Sequence, residues 1–397
     1  MTPHRATLDV LAELIAYPTV SADSNLALID YAEGMLADAG FWTRRLPDPA
    51  LAKSGLVARI GPDGPGGVLL SAHSDVVPVE GQAWTRPPFE LTQESDRLFG
   101  RGTTDMKGYL ASMLSLARRI DAKRLTAPLM LIVSYDEEIG CQGIRKMVPA
   151  FADLGWTPDL CIVGEPTSMR PAIGHKGKAA LRATCHGEAG HSALAPNYVN
   201  ALHLAADVIG ALRAIQGDYA MSDVQDSAYD VPHSTVHAGV LQGGTALNIV
   251  PQRAVIDFEL RSLPQDALPD FLDRLSAETD RICTSYRDSF AGVGIDIEVT
   301  NTYPGLDVSP YHPAVQRVMH LSGSQALTKV AFGTEAGFFA GLGIPTLVCG
   351  PGSMEAQGHK ADEFVTLDQL GACDAMMDRL MADLTAKPTD PQPRGEG

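Results

Sequence analysis

No apolar run in this chain approaches the ~18 residues that a membrane-spanning helix requires, so no spanning helix is expected. Residues 1–20 carry Asp9 and Glu13 within their apolar stretch, which argues against a secretory signal. Leu8, Leu11, Leu14 and Ile15 instead share one helical face that stops at Pro18. Basic residues are in deficit: 31 Lys and Arg face 48 Asp and Glu, a formal charge of −17. With no basic stripe, such a field repels nucleic acid and anionic membrane and mildly favours a cationic small substrate. There is no C-x-x-C pair, and the six cysteines are widely scattered, as reduced buried thiols of a cytoplasmic protein would be. Repeats are absent, and the only low-complexity stretch is the Pro-, Asp- and Gly-rich end from about Lys387.

What remains is a 397-residue chain, 45% apolar, that is long enough for two cores. Short apolar runs at 68–72, 129–135, 160–163 and 344–349 read as buried strands. Helical patterns at 107–120, 143–154 and 335–341 lie between them. Continuous apolar strands separated by helices predict an α/β domain with a central mixed, largely parallel sheet covered on both faces. Between residues 177 and 307 the rhythm changes. Strands at 180–185, 235–241, 254–260 and 294–300, with helices at 200–215 and 266–286, give the order β-α-β-β-α-β. That is the split, ferredoxin-like arrangement, inserted into the first domain. The expected division is therefore 1–176 with 308–387, an insert at 177–307, and a flexible tail at 388–397.

Four sites with metal-ligand chemistry follow strands or precede a helix: His73 in Ser71-Ala72-His73-Ser74-Asp75, Asp105 before the 107–120 helix, Asp136-Glu137-Glu138, and Gly164-Glu165-Pro166. In open α/β sheets ligands bind beyond the carboxyl ends of the strands. Each residue alone has a plain reading, such as a hydrogen-bonded histidine, a helix N-cap or a solvated acidic pair. Gathered on one rim, however, these carboxylates repel unless cations sit among them. Mixed imidazole and carboxylate donors suit Zn²⁺, Co²⁺ or Mn²⁺ better than Ca²⁺ or Mg²⁺. A carboxylate can bridge two such ions. Asp75 is placed to hold the second N–H of the His73 imidazole. Glu137, beside a ligand, is placed to take a proton from water.

His73-x-Asp75, Gly102-x-x-Asp105-Met106-Lys107-Gly108, Asp136-Glu137-Glu138 and Gly164-Glu165-Pro166 together resemble the M20 metallopeptidase family, over nearly the whole chain. The resemblance implies a zinc-peptidase-like catalytic domain with an inserted lid and dimerisation domain. It implies two divalent ions, zinc first and cobalt or manganese next, bridged by Asp105. His73 and Glu165 would complete one site and Glu138 and His359 the other, with Glu137 as general base. His359 is assigned on this ground alone. His191, in Gly190-His191-Ser192, resembles a lid histidine that donates to the oxyanion of the transition state. Asn248 and Arg261 match positions that hold a substrate carboxylate, for which the guanidinium fork is suited.

The blocks Gly333-Thr334-Glu335-Ala336-Gly337 and Thr103-Thr104-Asp105-Met106-Lys107-Gly108-Tyr109 look most like acetylornithine deacetylases. Thr334 and Glu335 are accordingly expected at the substrate, with Glu335 facing its cationic group. The implied reaction converts N²-acetyl-L-ornithine to L-ornithine and acetate, a step that feeds arginine synthesis. Other M20 activities (desuccinylation, aminoacylase or carboxypeptidase-like hydrolysis) are the alternatives, and a non-catalytic binding protein on the same fold is the remote one. The expected partners are a small N-acylated amino acid and a second copy of the chain, with no nucleic acid and no membrane.

Overall fold

The computed structural model describes residues 1–386 apart from 22, 49, 288 and 289; the expected tail at 388–397 and residue 387 lie outside the described residues. The chain forms two compact units. One comprises Met1–Gly174, Val308–Thr328 and the chain from Thr334 onward; the other comprises His175–Asp307 with Lys329–Gly333. The segment Lys329–Gly333, which the sequence boundaries leave in the larger domain, joins the smaller unit. There the Lys329 ammonium sits 2.7 Å from the carboxylates of both Asp226 and Asp307.

In the larger unit, β1 (Trp42–Pro47), β2 (Ser54–Ile60), β3 (Val68–His73), β4 (Leu129–Ser134), β5 (Leu160–Pro166) and β6 (Thr346–Gly350) lie in the order β1-β2-β4-β3-β5-β6. The four strands from β4 to β6 in that order run parallel, and β1 and β2 form an antiparallel flank. Every residue of β3, β4, β5 and β6 is buried, as strands covered on both faces must be. The helix Lys107–Ala117 is buried all round and packs between the helices Arg5–Ala16 and Leu367–Thr385. Its Tyr109 ring lies against Gly164, where a Cβ would come 2.0 Å from the ring. Only glycine lets the helix approach β5 so closely just before Glu165. Parallel alignment then brings the carboxyl ends of β3, β4 and β5 to one rim.

The smaller unit has strands Gly177–His186, Thr235–Gly243, Arg253–Ser262 and Gly294–Tyr303 and helices Ala201–Met221 and Leu268–Arg287. Its sheet is antiparallel throughout, with the second strand beside the third, then the first, then the fourth. This is the ferredoxin-like order. Alternate residues of Gly177–His186, among them Leu181 and Ala183, join the helices in one apolar core. No described helix in either unit is long and apolar enough to cross a membrane.

His175 in the smaller unit is fully buried, and its Nδ1 lies 3.0 Å from the Lys176 carbonyl. Burial pulls its pKa down from 6.5 to about 4, against the hydrogen bond to Lys176. The unfolded chain therefore binds a proton that the native chain excludes. Stability due to the neutral ring is complete above about pH 6.5 and is lost as pH falls toward 4, up to about 3 kcal/mol. Metal-stripped His175→Gln should show a flatter stability profile than the parent between pH 7 and 4 in urea titrations. Parallel profiles would contradict this assignment.

Candidate metal centre

The site begins with β3, whose last residue His73 is 1% exposed. Its Nδ1–H donates to the backbone carbonyl of Asp75 at 2.9 Å, which leaves Nε2 free as a ligand atom. Asp75 therefore holds the second imidazole N–H through its backbone carbonyl and not through its carboxylate. That carboxylate lies 3.6 Å from Nδ1 and is occupied elsewhere. It accepts from the backbone N–H groups of Glu137 (3.1 Å) and Glu138 (3.3 Å) and from the Ser21 hydroxyl (2.7 Å). Asp75 thus fixes the two glutamates as well as the imidazole, one with each part of the residue.

Those glutamates follow β4 in a turn opened by Asp136, whose φ of 54° lies in the left-handed region that aspartate tolerates. The buried Lys53 ammonium pairs with the Asp136 carboxylate. Glu165 sits near the end of β5, and Asp105 lies two residues before the Lys107–Ala117 helix. His359, also at positive φ (57°), lies in the loop after β6.

These residues meet around Asp105. One of its oxygens is 3.0 Å from His73 Nε2 and the other is 3.1 Å from His359 Nε2. His73 Nε2 also lies 3.5 Å from Glu165 Oε1, and His359 Nε2 lies 2.9 Å from Glu138 Oε2. Each imidazole is therefore flanked by Asp105 and by one glutamate of its own. Two groups of three donor atoms also lie mutually within 4.8 Å: His73, Glu137 and Glu165, and His73, Asp105 and Glu138. Glu137 thus shares the cavity; the thiol of the buried Cys141 donates to its Oε1 at 3.3 Å.

The charge state of the cluster tests whether cations fit. Burial opposes charge on both imidazoles, yet the surrounding carboxylates, Asp105 first, hold their pKa values up, that of His359 to about 10. Burial together with Asp105 raises Glu138 to about 7 and Glu165 well above the ordinary range. Burial also lifts Glu137, against the pull of His73. Asp105 is lowered in spite of burial, because both imidazoles donate to it. Burial and mutual repulsion of the carboxylates thus favour added positive charge in the cavity, which divalent ions supply when bound. Glu138 Oε1 and Glu165 Oε1 are buried without a hydrogen-bond partner, as ligand oxygens would be. The five donors suit a pair of nitrogen- and oxygen-ligated ions.

The expected substrate residues divide. Thr334 and Glu335 are 0% and 1% exposed. The Thr334 hydroxyl accepts from Ala336 N at 3.0 Å at the start of the helix Ala336–Gly341. Glu335 accepts from Ser71, two residues before His73, at 3.3 Å. Burial, against Ser134 and His73 and with Asp75, raises its pKa to about 7. Its carboxyl is buried close to the ligand row, with Oε1 lacking a hydrogen-bond partner.

In the smaller unit, His191 and Asn248 are neighbours. Gly190–His191 pairs with Ile249–Val250, and Ser192 N donates to the Asn248 carbonyl at 3.0 Å. His191 Nδ1 accepts from Ala193 N at 3.1 Å, which fixes the N–H of the neutral ring on Nε2. Arg261 is held by Glu259 (3.0 Å) and by the Tyr303 hydroxyl (2.6 Å).

The family profile described as Peptidase family M20/M25/M40 matches residues 69–383. An acetylornithine deacetylase of Photorhabdus laumondii subsp. laumondii is 32% identical over 381 residues, spanning 94% of this chain and 96% of that one. The M20 family metallo-carboxypeptidase of Sulfolobus solfataricus superposes with a TM-score of 0.77 at 19% identity, over 96% of this chain and 99% of that one. A dinuclear metal binding M20 peptidase of Bacillus subtilis does so with a TM-score of 0.64 at 16% identity, over 95% and 97%.

Proposed function

Since the chain belongs to peptidase family M20/M25/M40 and is a metal-dependent amidohydrolase, we propose that it removes the acetyl group of N²-acetyl-L-ornithine, releasing L-ornithine and acetate. The observation that carries the hydrolytic reading is the Asp105 carboxylate shared between two imidazoles, each backed by its own glutamate. The choice of substrate is supported by relatives named acetylornithine deacetylase at about a third identity.

Two ions, zinc by preference, would be held by His73 and Glu165 and by Glu138 and His359, with Asp105 common to both; when bound they polarise the amide carbonyl and acidify water. Glu137 takes a proton from the attacking water as its oxygen bonds to the acetyl carbon, and returns one to the nitrogen as the C–N bond breaks. His191 presents Nε2–H, the donor that a developing oxyanion needs. Arg261, with Asn248, receives the carboxylate of the amino acid. We assign the active form as a homodimer through the smaller unit. The six buried thiols support a cytoplasmic location.

The test is a panel on protein of measured metal content: N²-acetylornithine, N²-acetylcitrulline, N-succinyl-diaminopimelate and dipeptides. Acetylornithine should lead the others by roughly tenfold or more in kcat/KM, since an unpaired buried group penalises each wrong side chain. A preference for the succinyl compound or a dipeptide would replace the substrate, and no turnover of any would leave only a binding role.

A further inference from the structure

The two imidazoles are mounted differently. His73 ends a strand paired on both sides, and its side chain is 0% exposed. His359 rides on a loop, at positive φ, with its side chain 42% exposed. Something other than the sheet must hold it, and one buried side chain lies where that support is needed.

Arg101 is 0% exposed. Its Nη1 donates to Glu363 Oε2 at 2.6 Å and to the Lys360 carbonyl at 3.4 Å, both on the His359 loop. Its Nη2 donates to Gln82 Oε1 at 2.5 Å, and the amide of Gln82 donates to the His359 carbonyl at 3.2 Å. The other oxygen of Glu363 accepts from the backbone N–H groups of Thr104 (2.9 Å) and Asp105 (3.1 Å). One guanidinium fork therefore grips the loop just after His359 directly, the His359 carbonyl through Gln82 and, through Glu363, the backbone of the shared ligand. Among the described residues neither His73 nor Glu165 hydrogen-bonds Arg101, Gln82 or Glu363; His73 meets the network only through the Asp105 carboxylate, at 3.0 Å.

We propose that Arg101, acting through Gln82 and Glu363, is the positioning residue for the ion held by His359, Glu138 and Asp105. The ion beside His73 and Glu165, whose other two donors stand on the sheet, depends on it far less, through the Asp105 backbone alone. The inference rests on the two-ion reading above. A planar fork is required, because one ammonium cannot reach the Glu363 carboxylate and the Gln82 amide in fixed directions at once. Loss of such supporting contacts typically costs 10–100-fold in metal affinity.

The experiment titrates Zn²⁺ into the metal-stripped full-length chain by calorimetry, for the parent, Arg101→Lys and Gln82→Ala. Gln82 is only partly buried, so its variant guards against a folding defect, and circular dichroism of each stripped protein checks this directly. The parent should take two equivalents. Both variants should bind the first within about twofold of the parent and the second at least ~10-fold more weakly. Equal weakening of both equivalents, or no change in Gln82→Ala and Arg101→Lys, overturns the proposal while leaving the two-ion reading standing. A parent that takes a single equivalent removes that reading and this inference with it.

Discussion

Glu137→Gln should keep both metal equivalents and lose about 10³-fold in kcat, within the range expected for a positioned general acid–base. That factor corresponds to about 4 kcal/mol of barrier. The substitution is isosteric, and the backbone N–H of residue 137 remains bound to Asp75. What disappears is a carboxylate able to take a proton beside His73 and Glu165. The competing role is that of a ligand, since the Glu137 carboxylate lies close enough to both to share an ion. Metal analysis separates the two. Loss of one equivalent makes Glu137 a ligand, and turnover within tenfold of the parent with full metal content ends its role as base. Cys141 offers no alternative base, because burial and the nearby Glu137 and Glu335 carboxylates push its thiol pKa well up.

The central strands were legible in the sequence because strands buried on both faces are written as unbroken apolar runs. The same feature marked the rim on which His73 and Glu165 stand. The flank was not legible. β1 carries two arginines in Trp42-Thr43-Arg44-Arg45-Leu46-Pro47, and its exposed positions alternate with half-buried ones, so it reads as a polar loop. The helix Leu367–Thr385 has a Thr366 capping box with Gln369 that a search for start signals could have found. At the site, proximity in sequence revealed that Asp75 belongs with His73 but not which of its oxygens takes the ring proton. That depends on the turn after β3. Arg101 and Glu363, 262 positions apart, gave no local signal at all. A carboxylate at a helix start is usually exposed, and nothing local in the sequence revealed that Glu335 is buried against Ser71.

Asp105→Ala should have the widest effect of any single ligand change: weakening of both metal equivalents and a kcat/KM below that of Glu137→Gln. The reason is geometric. Asp105 gives one oxygen toward each imidazole, whereas Glu165 lies beside His73 and Glu138 beside His359. If roughly 10–16 kcal/mol of zinc binding is spread over about four ligands, each supplies about 3 kcal/mol, or about a hundredfold in affinity. Removing Asp105 subtracts that amount from two sites at once. Glu165→Ala and His359→Ala should each subtract it from one. The three variants can be compared by calorimetric Zn²⁺ titration of the stripped proteins, with activity measured at saturating metal. If Asp105→Ala loses one equivalent and keeps the other at parental affinity, the carboxylate serves a single ion, and the donor set divides differently. Under the shared arrangement, excess zinc should restore Glu165→Ala and His359→Ala in part. It should restore Asp105→Ala least, since Asp105 is the carboxylate that gives one oxygen to each imidazole.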